Sequence, residues 1–444
     1  MASGNMAAGI PIGSGTGQSA LTDAMRLRAI LAGSAGNLIE WYDFYVYAFT
    51  ALYFSSEFFP KSDPLVQVMA TSGIFAVGFL MRPIGGWFFG RYADRRGRQQ
   101  AMVLSVLMMG AGALLIAVLP TYATLGAAAP ALLLAGRMLQ GFSTGGQYGT
   151  AATYLSEVAG ARRRGFWSSF QYVTLIGGQL AATLVILILQ QIFGDAGMRV
   201  WGWRIAFLIG AVAAGTILLL RDHMHETASE QNRSASEAGS LAELFRHSTR
   251  PFLIVAALTA GGSLMFYSFT TYMQKFLVLT VGMTKETATL LMTGVLIVFM
   301  VQQPLMGLLS DRIGRRTNMI LFAALGVLCT IPLFSALAVT RSPAAAFVLI
   351  AAGLTICSFY TSVSGLFKAE LFPIHVRALG VGLAYGIANA IFGGTAENVA
   401  LAFKSGGMEH GFYWYVTALC LVSLGAALML PDTRRNNPLD LERT

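Results

Sequence analysis

The chain has 444 residues, 55% of them hydrophobic and only 11% charged; 30 Lys and Arg against 21 Asp and Glu give a net charge of +9, and the mean hydropathy is +0.62. Soluble domains carry roughly 25% charged residues, so a water-soluble globular protein is excluded. The 49 Gly fit a membrane solvent, where Gly is more frequent in helices. The 3 Cys (Cys329, Cys357 and Cys420) sit in apolar runs, so neither a disulfide framework nor a zinc site is expected.

Residues 1–24, rich in Gly, Ala and Ser with no apolar face, read as a disordered tail without signal-peptide character. Apolar stretches then recur, each long enough to cross a hydrocarbon core of ~30 Å. The expected spans are 28–55, 65–90, 100–119, 130–156, 166–192, 201–221, 251–280, 286–308, 318–339, 343–370, 378–403 and 411–431. Only helices satisfy their backbone in lipid without closing a barrel. The expectation is therefore an all-α polytopic membrane protein with twelve transmembrane helices in two six-helix bundles. Its units are a tail (1–24), a first bundle (25–221), a linker (222–249), a second bundle (250–431) and a tail (432–444).

Basic residues predict the orientation. Lys61, Arg199, Lys285, Arg341 and Lys404 fall in loops on one side, and Arg82, Arg137, Arg204, Lys275 and Lys368 fall within spans. The other 20 of the 30 lie on the side that holds both termini. By the positive-inside rule that side is cytoplasmic.

The chain also repeats itself. Gly90, Asp94, Arg95, Gly97 and Arg98 follow the second span, and Gly307, Asp311, Arg312, Gly314 and Arg315 follow the eighth at a constant offset of 217 residues. Glu157 and Arg164 pair with Glu370 and Arg377 at an offset of 213. Parallel repeats of this kind relate halves about an axis along the membrane normal. Asp94 and Asp311 can accept from guanidinium groups or cap a helix N-terminus, and Arg95, Arg98, Arg312 and Arg315 can bridge helices. Either they latch one face, with Glu157, Arg164, Glu370 and Arg377, or they are only positive-inside anchors.

G-x-x-x-D-R-x-G-R in both halves resembles the signature of the major facilitator superfamily. GNLIEWYDFYVY (36–47), MRPIGGWFFGRYADRRGR (81–98) and WGWR (201–204) are similar to its metabolite:proton symporter branch. SFQYVTLIGGQL (169–180), FTTYMQKFLV (269–278), SFYTSVSG (358–365), VRALGVGLAYGIANAIFGGTAE (376–397) and FYWYVT (412–417) resemble the α-ketoglutarate permeases of that branch. Two positions depart from the pattern. Gln147 in GGQYG stands where the branch usually has Glu, and Ala206 stands where it has Pro. If Gln147 replaces a carboxylate that titrates during transport, proton coupling is affected.

Charges inside spans are expensive and mark functional candidates. Glu40 and Asp43 lie roughly 18–22 Å into the first span at ~1.5 Å per residue. Arg137 lies roughly 10 Å into the fourth span from the other side, so a carboxylate–Arg137 contact is feasible. These carboxylates either carry protons, with position 147 as a third proton site, or form a permanent bridge. Arg82, roughly 12 Å deep, can hold a carboxylate through its planar fork or pair with Asp43. Lys275, beside Tyr272, either receives an anion or snorkels outward. Lys368 is expected to snorkel and Arg204 to anchor the sixth span. Gln171, Tyr172, Gln179 and Asn389 at mid-depth either complete a site or hydrogen-bond between helices, and the role of Glu397 stays open.

The resemblance implies a proton-coupled secondary transporter that imports a small dicarboxylate, first of all α-ketoglutarate, by alternating access. The alternative is a same-fold symporter for citrate, shikimate or a betaine. The implied partners are a small organic anion, protons and lipid, with no nucleic acid; the implied state is a monomer in the bacterial inner membrane. No nucleophile–base motif or phosphate-cradling loop supports a membrane enzyme, and neither a cofactor nor a metal is expected.

Overall fold

The computed structural model describes residues 23–96, 98–145, 152, 156, 163–220, 241–373 and 376–431. They form helical rods in chain order: α1 (Asp23–Phe58), α2 (Pro64–Arg96), α3 (Arg98–Val118), α4 (Ala128–Thr144), α5 (Phe170–Gly197, led in by Arg164–Ser168) and α6 (Trp203–Leu220). A short helix, Leu241–His247, precedes α7 (Thr249–Phe269, continued by Thr271–Leu279). Then follow α8 (Lys285–Ile313), α9 (Arg315–Val339) and α10 (Pro343–Thr361, continued by Ser364–Leu371). The last two are α11 (Arg377–Ala388, continued through a π turn at Asn389–Gly393 to Ala396–Ser405) and α12 (Glu409–Leu428). The rods coincide with the expected spans to within a few residues; residues 146–151 and 153–155 of the fourth span lie outside the described residues.

By length and composition, eight helical stretches among the described residues are apolar enough to cross a membrane. One of them, Arg164–Thr216, takes in both α5 and α6. Local chemistry sets several ends. Thr284 accepts from the Thr287 amide at 3.2 Å to begin α8. Ser342 does the same for Ala345 at α10, with Pro343 in the first turn. Gly314 turns the chain between α8 and α9 at φ 90°, a conformation that explains a glycine at that motif position.

Within the first half α2 packs on α4, α3 on α6, and α1 on α5; within the second α7 and α9 pack on α12, and α8 and α9 on α10. The halves meet where α5 crosses α8, α2 crosses α11 and α1 touches the outer piece of α7. Near the repeated motif, the Gly165 and Phe166 amides donate to the two Asp311 carboxylate oxygens at 2.8 and 3.1 Å. Near the opposite face, Gln190 donates to Thr289 at 3.3 Å, Lys285 pairs with Asp195 at 3.0 Å, and Asn398 donates to the Met69 carbonyl at 2.9 Å. Both faces are thus tied between halves, and the polar interior lies enclosed between the ties.

The α2–α4 crossing is made backbone to backbone. A Cβ added at Gly141 would lie 1.8 Å from the Gly78 carbonyl oxygen, whereas one at Gly425 meets nothing within 4 Å. Gly141→Ala should therefore destabilise the detergent-solubilised protein by about 1–3 kcal/mol or more. Gly425→Ala, in a helix interior, should be neutral or slightly stabilising. Thermal melting of both variants checks this; equal melting temperatures would remove the tight crossing.

Candidate functional site

Helix α1 supplies the spine of the interior. Its run Trp41–Phe44–Tyr45 stacks on itself, with Trp41 and Tyr45 at 5.7 Å, and Phe44 continues onto Phe75 and Phe79 of α2 at 4.6 and 4.5 Å. Phe79 then meets Tyr267 of α7 edge-on at 5.3 Å, carrying the aromatic column from one half into the other. Two guanidinium groups lie against this column. Arg82 sits over Phe79 at 4.1 Å and Phe44 at 4.5 Å; Arg137 sits over Tyr47 at 4.4 Å and Phe44 at 4.6 Å. Both cations share the Phe44 ring, and both are buried. Such contacts are worth about 2 kcal/mol or more each when desolvated.

The carboxylates divide between them. Asp43 accepts from Gln140 of α4, whose amide oxygen in turn accepts from Arg137 at 2.7 Å. The expected contact between Asp43 and Arg137 thus runs through Gln140. Arg82 faces Glu40 electrostatically, so the pairing with Asp43 entertained from sequence does not form. Gln140 was missed, although at i+3 from Arg137 it had to share a helix face with it.

Beyond Arg82 lies a group of buried polar atoms without good hydrogen bonds. They are Arg82 Nε and Nη2, the Tyr45 and Tyr267 hydroxyls, the Thr271 hydroxyl, and both amide atoms of Gln171, Gln179 and Asn389. Tyr45, Tyr267, Arg82 and Asn389 are mutual neighbours, and Asn389 and Tyr267 also converge on Gly393. Gln171 points at Gly365 of α10, and Gln179 follows Gly178, where α5 crosses Leu38, Trp41 and Tyr42 of α1. Buried polar atoms in folded proteins are ordinarily satisfied. A concentration of exceptions on α1, α2, α5, α7 and α11 marks where a polar guest fits. From sequence, Tyr45 belongs to the run WYDFYVY, which reads as packing or an interface belt more readily than as a ligand box, and Tyr267 precedes Lys275 in its span; Phe79 carries no signal, because aromatic residues abound throughout the chain.

Other candidates lie elsewhere. Lys275 does not reach the surface; it is buried and paired with Glu397 of α11 at 2.8 Å, so the snorkelling alternative is wrong. The Tyr272 hydroxyl turns towards Glu409 of α12 at 3.5 Å. Lys368 also fails to snorkel. It is buried against Ser364 at 2.7 Å, the Tyr360 hydroxyl at 3.2 Å and the Tyr385 ring at 4.3 Å, because its helix piece packs inside the second half. Arg204 anchors as expected, donating to the Ala117 and Leu119 carbonyls at 3.0 and 2.6 Å.

At the repeated motif, Asp311 also pairs with Arg315 at 2.8 Å, and Arg315 approaches Glu370 at 3.8 Å. Arg164 is buried at the α5 lead-in, Arg377 donates to the Ala369 and Phe372 carbonyls at 3.0 and 3.1 Å, and Arg312 is exposed. Gln147 and Glu157 lie outside the described residues, as do the side chains of Asp94, Arg95 and Arg98.

Removing Gln140 strips a partner from a buried anion and a buried cation at once. Gln140→Leu should cost about 1–3 kcal/mol or more, and the loss should shrink when Asp43→Asn is present, since the two act as one network. A double-mutant cycle in thermal melting measures this; additive losses would mean that the bridge carries no coupling.

The family model described as Major Facilitator Superfamily matches residues 33–397. The chain is 56% identical over 418 residues to the alpha-ketoglutarate permease of Escherichia coli (strain K12), covering 94% of this chain and 96% of that protein. It is 33% identical to a citrate-proton symporter of Salmonella typhi, covering 90% and 93%. Among solved structures, the proton:xylose symporter XylE bound to 6-bromo-6-deoxy-D-glucose matches with a TM-score of 0.77 at 18% identity, covering 94% of this chain and 98% of that one. A family match over most of the chain, a relative of this identity and the shared fold lead to one conclusion: this chain is a multi-pass membrane transporter, not an enzyme, and it belongs to the major facilitator superfamily.

Proposed function

We propose that the protein imports a small dicarboxylate, first of all α-ketoglutarate, together with protons, by alternating access. The observation that carries this reading is the pair of buried guanidinium groups on the two α1-facing helices, Arg82 and Arg137, both within 4.6 Å of the Phe44 ring centroid. Each keeps its Nε and Nη2 without a hydrogen-bond partner. An Arg fork holds a carboxylate through two parallel hydrogen bonds, so two such forks suit an anion with a carboxylate at each end. Gln171, Gln179 and Asn389 offer amide donors for the oxygen atoms between. The 56% identity to an alpha-ketoglutarate permease supports the substrate. Citrate, shikimate or a betaine is the second reading; the 33% identity to a citrate-proton symporter favours citrate among these.

The face with the repeated motif is cytoplasmic in this reading, because most of the basic residues flank it; both termini lie there, the protein is a monomer, and the membrane is a bacterial inner membrane. Asp94, Arg95, Arg98, Glu157 and Arg164 with Asp311, Arg312, Arg315, Glu370 and Arg377 form the cytoplasmic gate, which breaks when that face opens. The Asp311 bonds to Gly165 and Phe166 are its inter-half tie.

Energetics require coupling. Moving one charge against the potential costs about 2.3 kcal/mol per 100 mV, so a doubly charged anion entering a negative interior faces roughly 4.6 kcal/mol per 100 mV. Two protons cancel that charge, and a third makes the potential a driving force. Asp43 and Glu40 are proton carriers in this scheme, and position 147 is a further one wherever it holds Glu.

Purified protein in liposomes should accumulate labelled α-ketoglutarate under an inward proton gradient and leave citrate, shikimate and betaine outside. Accumulation of one of those in its place selects the second reading. Arg82→Lys keeps the charge but loses the fork, so calorimetric affinity should fall by about tenfold or more, or about 1.4 kcal/mol; unchanged binding by Arg82→Ala would leave Arg82 structural. Gln147→Glu should raise gradient-driven accumulation. Equal accumulation by parent and variant would show that position 147 carries no coupling.

A further inference from the structure

Lys275 and Glu397 form an ion pair sealed from solvent, with side chains 0% and 3% exposed. The pair also does something an ordinary structural bridge within one half does not. The same Lys275 Nζ donates to the main-chain carbonyl of Ala48 on α1, in the other half. Lys275 therefore ties α7 and α11 to α1, on the side of the site away from the repeated motif. One helical turn deeper, the buried Thr271 hydroxyl lies beside Tyr45.

The surroundings of Glu397 contain few other charges. Tyr47 of α1 and Tyr272 of α7 are the titratable groups that face it. Behind them stand Arg137, over the Tyr47 ring at 4.4 Å, and Glu409 of α12, against the Tyr272 hydroxyl at 3.5 Å. From α2, the contacts to this part of α11 are the neutral Met69 carbonyl and Ser72 hydroxyl, both bound by Asn398.

Breaking a buried ion pair by removing one partner leaves an uncompensated charge and is strongly destabilising. Lys275 cannot leave Glu397 for nothing. Two arrivals together satisfy both groups: a proton neutralises the carboxylate, and an organic carboxylate becomes the new counterion of the ammonium. The proton, arriving first, loosens the pair, and the carboxylate then completes the match.

Resting on the reading of the protein as a proton-coupled anion importer, we propose that Glu397 is a proton-binding site of the transport cycle and that Lys275 exchanges Glu397 for a carboxylate of the substrate. A proton from the external solution adds to a Glu397 carboxylate oxygen. Lys275 keeps its own protons, releases Glu397 and the Ala48 carbonyl, and so opens the external side. During entry, the incoming carboxylate takes the vacated position before the two ends of the substrate settle on the Arg82 and Arg137 forks. After release to the cytoplasm, Glu397 gives up its proton and the pair re-forms, moving one proton per cycle at this site.

The test has one arm that needs no substrate. In protein with Cys329, Cys357 and Cys420 replaced by Ala, a reporter Thr271→Cys lies about 6 Å deeper than Lys275 along α7 at ~1.5 Å per residue. The labelling rate by a membrane-impermeant maleimide applied outside liposomes, divided by its rate with a free thiol at the same pH because the thiolate is the reactive form, should be low at mildly alkaline pH and rise as the external solution is acidified. Glu397→Gln, which mimics the protonated acid, should speed labelling at alkaline pH by about tenfold, the ratio that about 1.4 kcal/mol represents, and abolish its pH dependence. Glu397→Asp should restore that dependence. In the second arm, Glu397→Gln should retain exchange of internal for external α-ketoglutarate while losing gradient-driven accumulation. Unaltered accumulation by Glu397→Gln overturns the proposal and leaves the dicarboxylate reading standing. Failure of the parent protein to move α-ketoglutarate sinks that reading, and the labelling arm still decides the role of Glu397. If Glu397→Gln does not fold, the parent reporter alone decides: a labelling rate that, once divided by that of a free thiol at each pH, is indifferent to external pH overturns the proposal.

Discussion

Removing a cation from water costs several kcal/mol after all relaxation, unless other groups replace its hydration; Arg82, Arg137, Lys275 and Lys368 are all buried. The interior is organised around that constraint. Arg137 is held by an amide, Gln140, and by aromatic faces; Lys275 by a carboxylate and a carbonyl; Lys368 by hydroxyls and a ring. Arg82 is the least provided for. Rings cover it, Glu40 faces it, and two of its nitrogen atoms lack a hydrogen-bond partner. A site that leaves a cation incompletely matched is one in which an anion gains the most by arriving.

The same constraint explains why the aromatic residues gather where they do. A ring face attracts a cation without neutralising it, so Phe44 and Phe79 keep the guanidinium groups in place without competing for the fork. A second carboxylate in their position would fill the site permanently. Helix α1 carries this chemistry because Trp41, Phe44 and Tyr45 together turn towards α2, α5 and α7, while Glu40 faces the cation on α2 and Asp43 is linked through Gln140 to the one on α4.

Much of this was legible from residue order. The rods follow from apolar runs, because lipid permits hardly any other spanning structure. The motif residues announced themselves by repetition, and Gly314 shows why a glycine belongs there. Charged residues at mid-depth were legible as special for the same energetic reason. Their partners were not. Glu40 and Asp43 are three residues apart, and only the rotation of α1 against α2 and α4 decides which cation each meets. Lys368 looked able to snorkel because it lies near a helix end; the packing of that end inside the second half is a tertiary fact. Asn389 was visible as a polar residue in an apolar run, but its convergence with Tyr267 on Gly393 required α7 and α11 to be seen together.

Half of the tie between α5 and α8 is main chain. The Asp311 carboxylate takes its two hydrogen bonds from the amides of Gly165 and Phe166, not from side chains. Every amino acid except proline brings such an amide, so the donor side of this contact is indifferent to the identity of residue 166. At residue 165 the limit is steric: a Cβ there would lie 2.4 Å from the Gly307 carbonyl oxygen. The two partners therefore tolerate change unequally. The acidic residue must be kept, while the side chain of residue 166 takes no part in the bond. A search for paired substitutions would find no partner for Asp311 in the side chain of residue 166.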